Sequence, residues 1–419
     1  MSFYIVNTSN LSHYSDYLLD LMKILFDHQV FSLEVMGGMS KYYTELMTHL
    51  VQEGHEVIVP VWRTHNYYLL QTLKTGIDIL WSEKRNVSTF LKDTPFKGRQ
   101  NLVFWCNKYR FLNNVDKILE GVDLVHITLF DPYLIDILKK KNIPFVFNVY
   151  DLNHKTQNLK SGFLNLQLCD YAEHGIQSLW EKANSIICVS KKTKSDLLQY
   201  YPTLDENKIK VIYHSVDISH ISQLQNESIH KQETDNLLEK LNIKKFMLFI
   251  GKRAADYKNF KAFVQAVAPL LGEELQCICL GHESFSESEK NLHKELNIEN
   301  FIHQMSGDES LKYYLFEKAA CFVYPSLAEG FGIPILEAWA GKCAVVCSHI
   351  NVFLEVGAGA ALYFDPNSIE NMSELIQGVS KNVDIQEELK NAWTQRVKLF
   401  DKWVEINTTL TLYKECINI

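Results

Sequence analysis

Short apolar runs rich in β-branched residues alternate with longer amphipathic stretches along the whole chain. That alternation admits few architectures other than parallel sheets built from βαβ units. In the first half the strand-like runs are residues 3–7, 56–60, 124–128, 144–150, 185–190 and 209–213. In the second half they are residues 246–251, 275–281, 320–324, 343–348 and 361–364. Helical stretches such as 41–52, 193–200 and 260–270 lie between them, and another runs from 387 to 416. A chain of 419 residues is too long for one ordinary core. The expectation is an α/β protein of two Rossmann-like domains, over 1–217 and 243–402. The polar stretch 218–242, with Gln223, Asn226, Glu227, Ser228, His230, Lys231, Gln232 and Glu233, is the expected linker.

Hydrophobic and charged contents of 47% and 22% are those of a globular protein. No apolar run reaches the roughly 18 residues that a membrane-spanning helix needs. The opening Met1-Ser-Phe-Tyr-Ile-Val lacks the charged start and apolar core of a signal peptide, so a cytoplasmic protein is expected. Cys188, Cys277, Cys279, Cys321, Cys343 and Cys347 sit in strand-like runs and read as buried small hydrophobes. No C-x-x-C pair or Cys/His array stands at zinc spacing.

A net charge of −8 argues against a general nucleic-acid binder. One segment departs from that balance. Lys84, Arg85, Lys92, Lys97, Arg99, Lys108 and Arg110 face Asp93 alone, and Phe90, Phe96, Phe104, Trp105 and Tyr109 interleave with them. Such a segment fits peripheral docking on an anionic membrane or a hold on an anionic acceptor. It also fits a solvated helix with aromatics turned to the core.

Four places carry chemistry. The stretch Tyr324-Pro-Ser-Leu-Ala-Glu-Gly-Phe-Gly-Ile-Pro follows a buried strand and precedes an apolar helix. Gly330 and Gly332 permit close backbone approach, and Pro334 suits a first helical turn. The free N–H groups there form an anion site beyond a strand's carboxyl end. Glu329 and Glu337 flank Phe331 in this stretch, and carboxylates accept hydrogen bonds from sugar or ribose hydroxyls.

The second place is Gly251-Lys-Arg253 with Lys258, again after a buried strand. Two fixed cations in a dry cleft suit a diphosphate leaving group without a metal. The third is Met36-Gly37-Gly38-Met-Ser-Lys-Tyr-Tyr, a glycine pair opening a helix. It is not the G-x-G-x-x-G dinucleotide fingerprint, yet it can turn N–H groups to donor phosphates. The fourth is Asn148-Val-Tyr-Asp151-Leu-Asn-His154, at a strand end. Asp151 and His154 are candidates to bind sugar or acceptor, or to act as an acid/base pair.

Together these residues resemble the family 4 glycosyltransferases of the GT-B fold. Glu329 to Glu337 matches the family's E-x7-E motif, and Arg253 with Lys258-Asn resembles its diphosphate-holding cations. Residues 36–42 resemble the GGI-x-R-Y loop of bacterial mannosyltransferase-like members. Similar too are Ile187-Cys-Val-Ser-Lys-Lys-Thr, Lys208-Ile-Lys-Val-Ile-Tyr-His and Ala361-Leu-Tyr-Phe-Asp-Pro. Phe400-Asp-Lys-Trp403 resembles the start of a final helix, about 403–419, that crosses back to the first domain. Tyr150 stands where many members have His, and Ser215 where glycine is usual.

The resemblance implies a retaining hexosyl transfer across a cleft, with a nucleotide-sugar substrate and no other cofactor. It assigns Glu337 to the ribose, Arg253 and Lys258 to the diphosphate, and Glu329 to the sugar hydroxyls. Gly37, Gly38, Gly330, Phe331 and Gly332 complete the donor site. The leaving phosphate helps to deprotonate the acceptor, and with no D-x-D motif no metal is expected. A GDP-sugar of mannose type is favoured over a UDP-sugar, with a glycan, lipid-linked saccharide or protein hydroxyl as acceptor in polysaccharide or glycoconjugate synthesis. A sugar-nucleotide epimerase, a phosphorylase and a non-catalytic nucleotide-sugar-binding module are the alternatives.

Overall fold

The computed structural model describes residues 21–35, 37–72, 77–80, 98–152, 177–226 and 228–418. Seven strands form the first sheet: β1 (Lys23–Phe26), β2 (Glu56–Pro60), β3 (Asp78–Leu80), β4 (Leu124–Ile127), β5 (Phe145–Val149), β6 (Ser185–Cys188) and β7 (Ile209–Val211). Six form the second: β8 (Phe246–Ile250), β9 (Gln276–Leu280), β10 (Ile302–Met305), β11 (Cys321–Tyr324), β12 (Val345–Ser348) and β13 (Leu362–Phe364). Their orders are β3-β2-β1-β4-β5-β6-β7 and β10-β9-β8-β11-β12-β13, and every pairing is parallel.

The sequence dictates this arrangement directly. Parallel strands are covered on both faces by crossover helices, so they need continuous apolar runs rather than alternation. Phe145–Val149 and Gln276–Leu280 are buried at all five positions. Each sheet has a core cluster on each face. One first-domain cluster packs Phe26, Tyr43 and Leu50, and the other Phe111, Phe147 and Trp180. In the second domain Phe322, Trp339 and Phe353 pack on one face, and Phe249, Phe263 and Met372 on the other. This is the expected pair of Rossmann-like domains.

Three differences from the expected elements have physical causes. The run at 3–7 lies outside the described residues, and the first described strand is the four-residue β1, too short to stand out beside the helix-like residues around it. The short strands β3 and β10 also escape pattern reading; in β10 only Ile302 and Met305 are buried. The stretch 218–242, expected as the linker, folds into two helices, Ile218–Asn226 and Ser228–Lys240. Ile221 and Leu238 fix them to the second domain's core.

The chain then returns. After Asp401, whose side chain accepts from the Trp403 N–H, the helix Lys402–Ile417 crosses to the first domain. There Ile406, Leu412, Tyr413 and Cys416 enter the first domain's core. Tyr413 meets His126 of β4 at 2.5 Å between Oη and Nδ1.

Candidate active site

Residues just beyond the carboxyl ends of β1, β4, β5, β6, β7, β8 and β11 line one cleft of about 1500 Å³ between the domains. That is where an open α/β sheet places its ligand site. The loop after β11 enters it. Gly332 takes φ +110°, a left-handed turn that starts the helix Ile333–Ala340, with Pro334 in its first turn. Glu329, Gly330, Phe331, Gly332 and Glu337 all line the cleft.

The cleft's lysines are each matched to a carboxylate. Lys258 Nζ lies 2.6 Å from Glu329 Oε1 and 3.3 Å from Tyr324 Oη. Burial alone would depress this ammonium, but the Tyr324 phenol and the Glu329 carboxylate hold it above the ordinary lysine value. Lys312 Nζ lies 2.7 Å from Glu337 Oε1. Lys41 pairs across the cleft with Glu309, and Lys108 with Asp131 at 2.7 Å. All four lysines of the lining thus carry a carboxylate of the lining.

The first domain closes on the loop closely. Ser190 Oγ donates to the Gly330 carbonyl at 3.0 Å, and a Cβ on Gly330 would fall 1.9 Å from the Tyr150 carbonyl oxygen. Tyr150 and Asp151 line the cleft beside that contact.

Other expected residues are placed differently. Arg253 is buried and turned from the cleft: Nε donates to Glu289 at 2.9 Å and Nη2 to the Glu283 carbonyl. Phe285 stacks against its guanidinium, 4.8 Å from ring centroid to Cζ. Arg253, expected with Lys258 at the donor diphosphate, is thus paired with Glu289 of the helix Glu287–Glu295. Gly38 lines the cleft, whereas Gly37 is the extended N-cap of the helix Gly38–Gln52. The anion position at that helix start is filled from within. Glu34 Oε2 accepts from the Ser40 N–H at 2.8 Å. Burial raises the Glu34 carboxyl above its ordinary value, against that N–H and Lys252. His154 lies outside the described residues, as do 84–97 of the basic aromatic segment. Its remainder is the helix Arg99–Asn113, from which Asn101, Phe104, Trp105 and Lys108 reach the cleft.

Two further groups escaped sequence reading. His214 and Glu405 both line the cleft, with Nδ1 and Oε1 3.2 Å apart. Lys312 and Glu309, on the helix Glu309–Lys318, carried no motif at all. Among the described residues no group of three or more His, Cys, Asp or Glu side chains is disposed to hold a metal ion. No helix among them is long and apolar enough to cross a membrane.

Comparison with known proteins agrees with this geometry. The family model "Glycosyltransferase Family 4" matches residues 36–220, and "Glycosyl transferases group 1" matches 231–398. The O-antigen chain mannosyltransferase RfbU of Salmonella typhimurium is 30% identical over 207 residues, 49% of this chain and 53% of that protein. The Campylobacter jejuni 4-α-N-acetylgalactosaminyltransferase acting on a diphospho-undecaprenol-linked saccharide is 27% identical over 236 residues, 54% of this chain and 59% of its own. The chain thus spans little more than half the length of these relatives. The structure of Anabaena HepE with UDP and glucose shares the fold at TM-score 0.67 and 18% identity, covering 94% of this chain and 99% of the other.

Proposed function

The chain belongs to the glycosyltransferases, its two halves matching the family 4 and group 1 models, and from that premise we propose that it moves a hexose of mannose type from a nucleotide sugar, GDP-linked, to a saccharide acceptor with retention. One observation carries this reading: Lys258, Glu329 and Glu337 stand together on the second-domain wall of the cleft. The matched pairs suit such a donor. Its phosphates take the ammonium of a lysine while its hydroxyls take the carboxylate that lysine released, so binding exchanges partners without stranding a buried charge.

In the proposed step Glu337 receives the ribose hydroxyls and Glu329 the sugar hydroxyls. Lys258 stabilises negative charge as the diphosphate leaves, in a site where the Tyr324 and Tyr257 rings exclude water. With lysines as the cations, transfer is metal-independent and persists in EDTA.

The acceptor is a lipid-linked saccharide at a membrane surface. Leu102, Trp105, Tyr109 and Leu112 form an outward stripe on the helix Arg99–Asn113, with Trp105 and Tyr109 53% and 72% exposed. That helix carries Arg99, Lys108 and Arg110 and no acidic residue. Apolar outward side chains among cations suit an anionic lipid surface, and Trp105 joins the stripe to the cleft. The Salmonella and Campylobacter relatives, by their names, build O-antigen and lipid-linked glycans.

A thermal-shift screen against GDP-, UDP-, dTDP- and ADP-sugars tests the donor. A donor at 100 times its Kd stabilises the protein by about 2.7 kcal/mol. Mass spectrometry with undecaprenyl-diphosphate-linked saccharides tests transfer. Stabilisation by no nucleotide sugar, or binding without transfer to any acceptor, overturns the reading.

A further inference from the structure

Four histidines of the described first domain are almost wholly buried or seated at its edge, and they differ in what their second nitrogen meets. His126 is satisfied on both sides, by Tyr413 and by Asn148 at 3.0 Å. His28 bonds Ser32, and its Nε2 is sealed without a partner. His55 accepts the Met22 N–H at the far end of the sheet. His214 is unlike these. Its Nδ1 lies 3.2 Å from Glu405 Oε1, while Nε2 makes no hydrogen bond among the described residues and is not among the sealed atoms. The ring lines the cleft.

Glu405 is itself fixed. Ser215 Oγ donates to its Oε2, so both carboxylate oxygens have donors. A carboxylate facing Nδ1 selects the tautomer with the proton on Nδ1 and leaves the Nε2 lone pair open. Three aromatic rings pack against the imidazole. Tyr150 stacks on it at 5.9 Å and 15°, and Tyr42 and Phe331 pack edge-on at 4.9 and 5.4 Å. Phe331 is two residues from Glu329, so the imidazole abuts the donor loop.

Resting on the glycosyltransferase reading, we propose that His214, oriented by Glu405 of the crossing helix, accepts the proton of the acceptor hydroxyl, in place of the leaving phosphate that the resemblance implies. The acceptor oxygen bonds to the anomeric carbon on the face that the diphosphate leaves, as retention requires. The bond from that carbon to the diphosphate oxygen breaks, and its electron pair leaves on the phosphate. The acceptor's proton moves to Nε2, and Glu405 stabilises the imidazolium until it returns the proton to solvent. This gives the crossing helix a chemical role: it carries a carboxylate to a histidine 191 residues away.

The groups facing His214 are Glu405 from the crossing helix, the Tyr42 phenol from the helix Gly38–Gln52 and the Tyr150 phenol after β5; Phe331 adds no charge. No lysine or arginine among the described residues forms an ion pair with His214 or Glu405.

The test compares wild type, H214Q and E405Q with the best-binding nucleotide sugar and octyl α-D-mannopyranoside as acceptor, from pH 5 to 9. Wild-type kcat should fall on the acid side as Nε2 takes a proton. H214Q should lose about 10²-fold in kcat, lose that acid limb, and bind the donor with unchanged Kd by calorimetry. E405Q should bind the donor with unchanged Kd but lose kcat, because the ring is no longer held with its proton on Nδ1. An H214Q enzyme with the wild-type limb and a changed Tm alone overturns the proposal, as does an E405Q enzyme with the wild-type kcat. A wild type that transfers to no acceptor overturns the glycosyltransferase reading itself.

Discussion

Gly330 and Tyr150 meet backbone to backbone across the cleft, so closely that a methyl group on Gly330 would sit 1.9 Å from the Tyr150 carbonyl oxygen. The two residues belong to different domains. Their contact, with Ser190 and Thr193 both donating to the Gly330 carbonyl, fixes how near the donor loop stands to the acceptor wall.

Gly330→Ala should therefore force the loop and the Tyr150 strand end apart. The obstacle is backbone, with Asp151 Cβ also 3.1 Å away, so no side chain can yield. A shift of about 1 Å between reacting partners costs roughly 10²-fold in rate. Steady-state kinetics should show that loss in kcat/KM with little change in Tm; full activity would mean the loop need not stand so close.

Lys258 and Glu329 should behave as one unit. Their side chains are only 13% and 14% exposed, so removing either leaves the other's charge under-compensated in a largely dry site. Lys258→Ala and Glu329→Ala should each lower kcat/KM by about 10²-fold. The double variant should fall little further, since coupled residues are strongly non-additive. Additive losses in the double-mutant cycle would show that the pair acts separately.

How far the sequence reveals such units depends on distance along the chain. Glu329, the glycines and Glu337 lie within one turn and helix start, so local chemistry exposes them. The apolar runs of β8 and β9 are equally local. Arg253 is different: its charge is visible, but its partners Glu289 and Phe285 come from the later segment that follows β9. His214 and Glu405 meet only because the last helix crosses back. The polar run at 218–242 conceals helical spacing in Ile218, Ile221 and Leu224, which composition alone reads as a linker.

Acidification should destabilise the first domain well before its surface carboxylates titrate. Burial depresses His28 and His126 to about 3, from 6.5. Between those values the unfolded chain binds more protons, so stability falls as pH falls below 6.5. At pH 5 that is about 2 kcal/mol per histidine. Burial raises Asp27 to about 6, which works the other way: the folded state holds its proton more tightly and regains about 1 kcal/mol between pH 6 and 5. The net is a loss of a few kcal/mol from pH 7 to 5. Scanning calorimetry across that range should show Tm falling, and a flat or rising Tm would contradict these histidine environments.

Glu34 supplies the last prediction. Its carboxylate lies against the start of the helix Gly38–Gln52, where a Cβ on Gly37 would come within 2.4 Å of it, and it accepts the Ser40 N–H. It holds the position that a glycine-opened helix would otherwise offer to a donor phosphate. A diphosphate entering the cleft meets this fixed negative charge, which Lys252 offsets only weakly. Glu34→Gln keeps the shape and the N–H acceptor but removes the charge. Donor Kd should then fall about fivefold, equivalent to roughly 1 kcal/mol of relieved repulsion at an effective dielectric of 80 or less. The helix start should lose a similar amount of stability, because an anion there is favoured by the helix dipole. Calorimetric titration of wild type and variant at low and high salt decides it. Tighter binding that fades with salt supports the competing-anion reading, and unchanged Kd at both salts rules it out.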